Sequence, residues 1–510
     1  MPVGSLILGL VLASQIPSAT AGSTPPFEAA AVRRGGATSD SPLPEALTFE
    51  AAEARLRASS PATRAAEYGR DAAQSQRRVA EGLNRPTVML EAQLIRYRKT
   101  FDLSLGDVLD QAQSGISAAI PGLVQGQTGL PPDLLDQVEG RLQSSLPEIF
   151  ASLPQDVRLQ IDDTAFKPSV TAIQPIYTGG AIPALRRAAG ASADLAEARL
   201  QEAIDLEAVN LARAYFGQVL ASQAVQIAKD GRDGFDLHLH NARRMQEEGL
   251  LSRAQVLQVE VARDTAQRQL NRAEVDWENA VAALSNLLDL DQAVTPTTPL
   301  FVNRHSVGPA DIFLSQADQN NAKLTQAQAG REIASAGADL AASRLKPSLF
   351  AFGTYSMNRE DNLPTEPDWA LGVAARYTLI SSLDRRQMLS SARAQAMAAQ
   401  ETERQARDQI RLLVTRAYNQ AELARRQFLS MDTSLAAASE NLRVQEVGFR
   451  EGEATASDVI DARNLLGNAR LQRAAAAYEY NLSLAALLAA TGSDQSLSDY
   501  QQRPDRISTP

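Results

Sequence analysis

The chain has 510 residues, a formal net charge of −10 and no cysteine. That length can hold several domains; the charge leaves no basic footprint for nucleic acid, and the missing thiols exclude disulfides, thiol catalysis and cysteine metal sites. Charged residues make up 22 % and aromatics only 5 %, which suits long helices with small side chains at their contacts better than a compact aromatic core. His238, His240 and His305 are the only histidines, too few for a rich metal site. His238 and His240 are two apart, so they do not share a helix face, and both read as surface residues. No metal, no cofactor and no catalytic residue is expected.

Residues 1–21 read as a secretory signal, with an apolar run from Leu6 to Leu12 and Ala19-Thr20-Ala21 as a cleavage site, though the start carries no Lys or Arg. Residues 22–44, rich in Pro, Ala, Gly and Ser, are predicted to be a disordered lead-in. No long apolar run follows, so no transmembrane helix is predicted. Without a Cys, no lipid anchor is expected.

A first repeat is predicted over 45–290. Leu47 to Leu83 carries two helical segments broken at Ser60-Pro61, and Arg85-Pro86 ends them. Strands are expected at about 86–100 and 166–178. In the first, Val88, Leu90, Ala92 and Leu94 alternate with Met89, Glu91, Gln93 and Ile95. Residues 102–164 read as an insertion, with short helices available in Asp133 to Leu153. From 179 to 290 a long hairpin is predicted. It is free of proline from Ala184 and rich in good helix formers. It breaks once, at Glu248-Gly249-Leu250-Leu251-Ser252. Its first helix should hold about 68 residues, roughly 100 Å at the usual rise.

Residues 291–308 form a linker, and a second repeat follows over 309–490. Its helical region ends at Lys346-Pro347, strands are expected at about 348–358 and 368–380, and a hairpin runs over 382–490. Trp369, Leu371, Val373, Ala375, Tyr377 and Leu379 alternate there with Ala370, Gly372, Ala374, Arg376 and Thr378. One apolar face opposite a small or polar face fits a transmembrane β-barrel strand; a small soluble sheet packed on helices fits it too. The polar tail, 491–510, is expected to be loose.

The two repeats match at a constant offset of 203 residues, as from Gly249 to Gly452, without a gap between about 176 and 285. Arg213-Ala214-Tyr215 meets Arg416-Ala417-Tyr418, Val256 meets Val459, and Trp277 meets Tyr480. Such an offset marks an internal duplication. Before the hairpins the offset is 261, as from Pro86 to Pro347, and the difference of 58 residues is the insertion. Four such strands cannot close a barrel alone, because open edges in lipid leave backbone groups unpaired. Three copies would supply twelve strands, and twelve helical strands for a tube below.

The duplication, the strand-exit motif Gln174-Pro175-Ile176-Tyr177-Thr178-Gly179-Gly180, and the tips Glu248-Gly249-Leu250 and Glu451-Gly452-Glu453 together resemble an outer-membrane factor of the TolC type, over roughly Leu43 to Gly492. The fold class implied is mainly α with a transmembrane β-barrel: internally duplicated long α-helical hairpins plus four β-strands per chain, assembled as a trimeric 12-stranded barrel on an α-helical barrel. An equatorial domain is implied from about Asp291 to Ser306 and from the region after Ala489. The resemblance implies a homotrimer in the outer membrane of a Gram-negative bacterium, extending into the periplasm. Its partners would be a periplasmic adaptor (membrane fusion protein), an inner-membrane transporter of RND or ABC type, and outer-membrane lipid. Such a duct does no chemistry.

The family closes its periplasmic end with acidic residues just after the second tip, and Asp458-Val459-Ile460-Asp461 fits that pattern. Asp458 and Asp461 would share a helix face and form two carboxylate rings in a trimer. The first repeat carries Gln255 and Gln258 there. Without the family, two aspartates near a helix start are ordinary capping and dipole residues. Adaptor docking is implied at Gly249, Leu250 and Gly452, although Gly452-Glu453 departs from the Gly-plus-apolar pattern. The insertion would sit at the cell surface. The competing reading is a soluble periplasmic coiled-coil adaptor or scaffold, disfavoured because an adaptor needs one hairpin and many short strands. An enzyme lacks every nucleophile, phosphate-loop and metal motif it would need.

Overall fold

The computed structural model describes residues 45–125, 132–154, 156–358, 367–493 and 496–509; the expected signal and lead-in lie outside them. Each half of the chain runs two helices, two strands and a helical hairpin. The first half comprises β1 (Glu45–Leu47), α1 (Phe49–Ser59), α2 (Pro61–Glu81), β2 (Thr87–Ser104), α3 (Gly106–Gln125), α4 (Pro132–Ala151), β3 (Asp156–Tyr177), α5 (Ala181–Glu247) and α6 (Arg253–Leu287). After β4 (Val294–Pro296) and β5 (Phe301–Asn303) the second half comprises α7 (Ala310–Asn320), α8 (Ala322–Ser343), β6 (Ser348–Ser356), β7 (Trp369–Arg376), α9 (Arg385–Glu451) and α10 (Ala456–Thr491), followed by α11 (Leu497–Gln501) and β8 (Arg506–Ser508).

The starts of the paired helices keep the offsets read from the sequence. Phe49 and Pro61 open α1 and α2 as Ala310 and Ala322 open α7 and α8, 261 residues later. The breaks between them are capped alike. Ser60 accepts the amide of Thr63 at 3.3 Å and Asn321 that of Leu324 at 3.1 Å. Both long helices have 67 residues. Their entries differ. Gly179 (φ +67°) and Gly180 (φ +99°) turn the chain from β3 into α5, and a Cβ on Gly179 would stand 2.7 Å from the Ser343 carbonyl oxygen. Ser382 holds the matching place in the second half, where Asp384 instead accepts the amides of Arg386 (3.0 Å) and Gln387 (3.1 Å).

Four helices run side by side at each level. The half nearer the sheet packs α2 on α5, α5 on α8 and α8 on α9; the half nearer the tips packs α6 on α5, α5 on α10 and α10 on α9. The main core lies where the levels meet. Phe49, Tyr215, Phe216, Phe301, Tyr480 and Tyr500 are buried there. The Tyr215 hydroxyl donates to the Leu47 carbonyl (2.7 Å) and accepts the amides of Thr297 (3.0 Å) and Thr298 (2.8 Å). Asn481 receives the Phe301 amide (3.3 Å) and donates to its carbonyl (2.7 Å). A buried side chain thus replaces a strand neighbour and leaves no orphaned backbone.

Two small sheets complete this equator: β1 pairs parallel with β4, and β5 antiparallel with β8. The tail is therefore not loose. Tyr500 is buried, the Asn303 side chain donates to its carbonyl at 3.0 Å, and the Thr509 amide reaches the Leu300 carbonyl at 2.9 Å. A polar composition concealed one anchoring aromatic and a strand whose partner lies about 200 residues away.

The principal sheet is antiparallel in the order β2-β3-β6-β7, so β2 and β7 are its open edges. Register places Val88, Leu90, Leu94, Phe166, Val170, Leu371 and Val373 on one face, and all but Val170 are exposed. The other face carries Thr87, Glu91, Gln93, Lys167, Thr171 and Arg376, with Phe352 lying over Gly372, where a Cβ would come within 3.0 Å of its ring. The first two strands are longer than the expected 86–100 and 166–178. Their ladder continues to Ser104 opposite Asp156, so the sequence off the ladder is 105–155 rather than 102–164, and it folds as α3 and α4. The apolar alternation stops at Arg96, Arg98 and Asp162, although the hydrogen-bonded ladder does not. In the second half, β7 ends at Arg376 rather than near 380.

Candidate functional site at the helical tips

Each hairpin turns on one left-handed glycine. Gly249 (φ +73°) follows α5, and the amides of Leu250 (2.8 Å) and Leu251 (3.2 Å) reach back to the Met245 carbonyl. Gly452 (φ +82°) follows α9, and the amides of Glu453 (2.8 Å) and Ala454 (3.1 Å) reach the Gly448 carbonyl. Both close the orphaned carbonyls of a helix end in the same way. Leu250 is 68 % exposed, while Leu251 folds inward onto the tip core.

The return helices begin with capping boxes. Ser252 and Gln255 form the first, Thr455 and Asp458 the second. Asp458 accepts the Thr455 amide (2.8 Å) and hydroxyl (2.7 Å). These bonds from Thr455 hold its carboxyl below the usual carboxylate range. Asp461 is exposed one turn further on. Val459, between them in sequence, is buried, so both carboxylates lie on the side of α10 turned away from the tip core.

That core holds Leu239, Ala242, Val256, Val259, Phe449 and Val459. His238 enters it, against the expectation of a surface residue: it is 4 % exposed, its ring stands edge-on to Phe449 at 4.7 Å, and its Nε2 lies 3.4 Å from the Ala456 carbonyl. A carbonyl only accepts, so Nε2 carries the proton. Burial, with Arg463 adding to it, pushes the imidazole down to about 4 despite the Ala456 bond. His240 is exposed, as expected.

A charge pair ties each hairpin together 17 residues apart, with its polarity reversed between them. Arg243 meets Glu260 at 2.6 Å in the first, whereas in the second the carboxylate of Glu446 comes first and Arg463 follows. Arg463 is the more enclosed arginine, its side chain 13 % exposed against 57 % for Arg243. Its guanidinium covers Gly234, where a Cβ would collide with it, and lies 6.0 Å from the Phe235 ring. Sequence reading missed both this pair and the burial of His238. The offset of 203 carries the signal for the pair, since Arg243 and Glu260 align with Glu446 and Arg463.

The model of the outer membrane efflux protein family matches residues 158–289 and 313–493, more than half of the chain. The chain belongs to that family. It is 27 % identical to Protein CyaE of Bordetella pertussis over 269 residues, 50 % of this chain and 56 % of that one. It is 25 % identical to outer membrane protein TolC of Vibrio cholerae over 334 residues, 62 % of this chain and 76 % of that one. Among solved structures, the outer membrane protein VceC of Vibrio cholerae superposes with a TM-score of 0.66 at 14 % identity, over 87 % of this chain and 96 % of that one. The chain aligns with just over half of the length of CyaE.

Proposed function

We propose that the chain is the outer-membrane exit duct of a tripartite efflux or type I secretion system, a passive trimeric channel through the outer membrane and the periplasm. The observation that carries this reading is the four-stranded sheet with two open edges and one apolar, exposed face. In hydrocarbon each unpaired backbone group costs several kcal/mol, so β7 of one copy closes on β2 of the next. Three copies close a 12-stranded barrel, and the four helices at each level become twelve in the tube beneath. No helix among the described residues is long and apolar enough to cross a membrane.

Asp458 and Asp461 then line the constriction as two stacked rings, while Gly249, Leu250 and Gly452 offer turns and an apolar contact to a periplasmic adaptor. An inner-membrane transporter of RND or ABC type delivers the cargo, and the duct binds no cofactor and catalyses nothing. The adaptor or scaffold reading is not favoured, because the family match runs through both hairpins. The test is the native mass of the protein extracted from the outer membrane in mild detergent. Three chains are expected; a soluble periplasmic monomer would overturn the channel and the aspartate rings together.

A further inference from the structure

The ladder between β2 and β3 outlasts the sheet. Ser169 is the last β3 residue in the ladder with β6; Met357 and Asn358 still reach the carbonyls of Pro168 (2.9 Å) and Phe166 (3.0 Å), and β2 and β3 stay paired with each other as a ribbon from Pro168 opposite Ala92 to Asp156 opposite Ser104. Its polarity inverts on the way. The face that is apolar in the sheet, with Leu90 and Leu94, becomes charged: Arg96 and Arg98 both reach Asp162, at 3.5 and 2.7 Å. The opposite face, polar in the sheet, gains Ile95, Ile161 and Val157, each 37 % exposed, and buried Ala165.

At its end stand α3 and α4, which pack on each other and share no extended contact with any other described element. Ile120 of α3 is buried, and Leu109 of α3 and Leu135, Leu146 and Phe150 of α4 are half-buried, which marks the sides on which the two helices meet. By helical phase, Val108, Ile116 and Leu123 form a stripe on one flank of that contact in α3, and Val138, Leu142 and Ile149 form another in α4. All six are exposed. In an antiparallel pair these flanks fall on the same side, while Asp110, Ser114, Asp136 and Gln143 take the other. The hairpin is therefore amphipathic, with an apolar face that no other described element covers.

We propose that this face is covered by the same face of the other two copies, so that three hairpins form a six-helix cap over the outer mouth of the channel. The proposal rests on the trimeric barrel. The inverted ribbon favours a partner copy over lipid. Above Leu94 the outward face is charged, about ten further residues lift the hairpin about 33 Å, and the ribbon face that carries Ile95, Ile161 and Val157 is the one a closed barrel turns toward the common axis. β2, the edge through which neighbouring copies would join, is the strand that rises into this ribbon.

The test uses the absence of native cysteines. Val108→Cys, Ile116→Cys and Leu123→Cys are made singly in the full chain, with Ser114→Cys as the polar-face control. Trimers purified in mild detergent are treated with a short bismaleimide. Linked dimers in at least one stripe variant, and loss of the link in the control, are expected. Trimers that link at no stripe position would overturn the cap while leaving the channel intact. A dye carried by the Ile116→Cys variant and quenched by brominated lipid would overturn it in favour of membrane contact. A monomer by native mass would overturn the barrel itself, and the cap with it. Replacing 106–154 by a short turn gives a second reading: trimers should persist with raised single-channel conductance, and unchanged conductance would overturn the cap.

Discussion

The two hairpins share one geometry and differ in chemistry. Their long helices are equal in length, their glycines take the same left-handed turn and their return helices start from the same capping box. Yet the first tip shows Leu250 and Gln255 where the second shows Glu453 and Asp458, and the charge pair behind each tip is reversed. Backbone turns and caps are satisfied by small changes of side chain, so a duplicated scaffold keeps them. What faces solvent or the other hairpin is free to diverge, and it does so at the positions where function is proposed.

The sharpest contrast in stability lies at the hairpin entries. Gly179→Ala puts a Cβ into the Ser343 carbonyl at a positive φ and should cost about 3 kcal/mol; Ser382→Ala, its counterpart, should stay within about 0.5 kcal/mol. Chemical denaturation of the two variants checks this, and equal losses would mean the entries are equivalent after all.

A similar energy should depend on pH where the two tips meet, through a residue that only the first repeat carries. His238 is neutral in the fold down to about 4, whereas the unfolded group titrates near 6.5. The unfolded form therefore gains its proton first. The shared tip core keeps its full stability above about pH 6.5 and loses up to about 3 kcal/mol as pH falls toward 4. Hydrogen exchange at residues 235–250 should accelerate over that window, and His238→Asn, which copies Asn441 of the second repeat, should flatten the profile.

The reversed pairs give a smaller contrast. Glu446→Ala strands the enclosed Arg463 and should cost about 2 kcal/mol, while Glu260→Ala leaves an exposed arginine and should cost less than about 1 kcal/mol. Thermal unfolding of both would settle the order.

The last two changes should barely move stability and are read as function. Asp458→Asn with Asp461→Asn should raise the closed-channel conductance and reduce its cation preference, and Gln255→Ala with Gln258→Ala should not; a double aspartate variant with unaltered current would end the gate assignment. Leu250→Asp should abolish export from intact trimers more completely than Glu453→Ala, as an export assay in cells would report.

The duplication, the two glycine tips and the strand patterns were legible because each rests on local spacing. The extent of β3 was not, because Arg158, Asp162 and Asp163 break the apolar alternation while the ladder persists, so residues that pair strictly looked like loop; β2 was expected through Arg96 and Arg98 and runs only to Ser104 beyond them. The ordered tail escaped for a related reason: Tyr500 and β8 are held by β5, far away in sequence. His238 sits between exposed Asp233 and His240 on α5, and only Phe449 of α9 and the start of α10, far away in sequence, bury it. The aspartates were legible only through a resemblance. The structure adds that Asp458 caps α10 while Asp461 is exposed beside it, so the two carboxylates of one pattern need not do the same work.

The matched lengths of α5 and α9, at 67 residues each, and of α6 and α10, at 35 and 36, make the lower molecule a ruler with four coupled scales. Adding one heptad to α5 alone would drop Gly249 about 10 Å below Gly452 and slide His238 away from Ala456. Reach can change only if all four helices below the equator change by the same number of whole turns. The depth to which this protein extends is thus written in quadruplicate, and evolution can edit it only in synchrony.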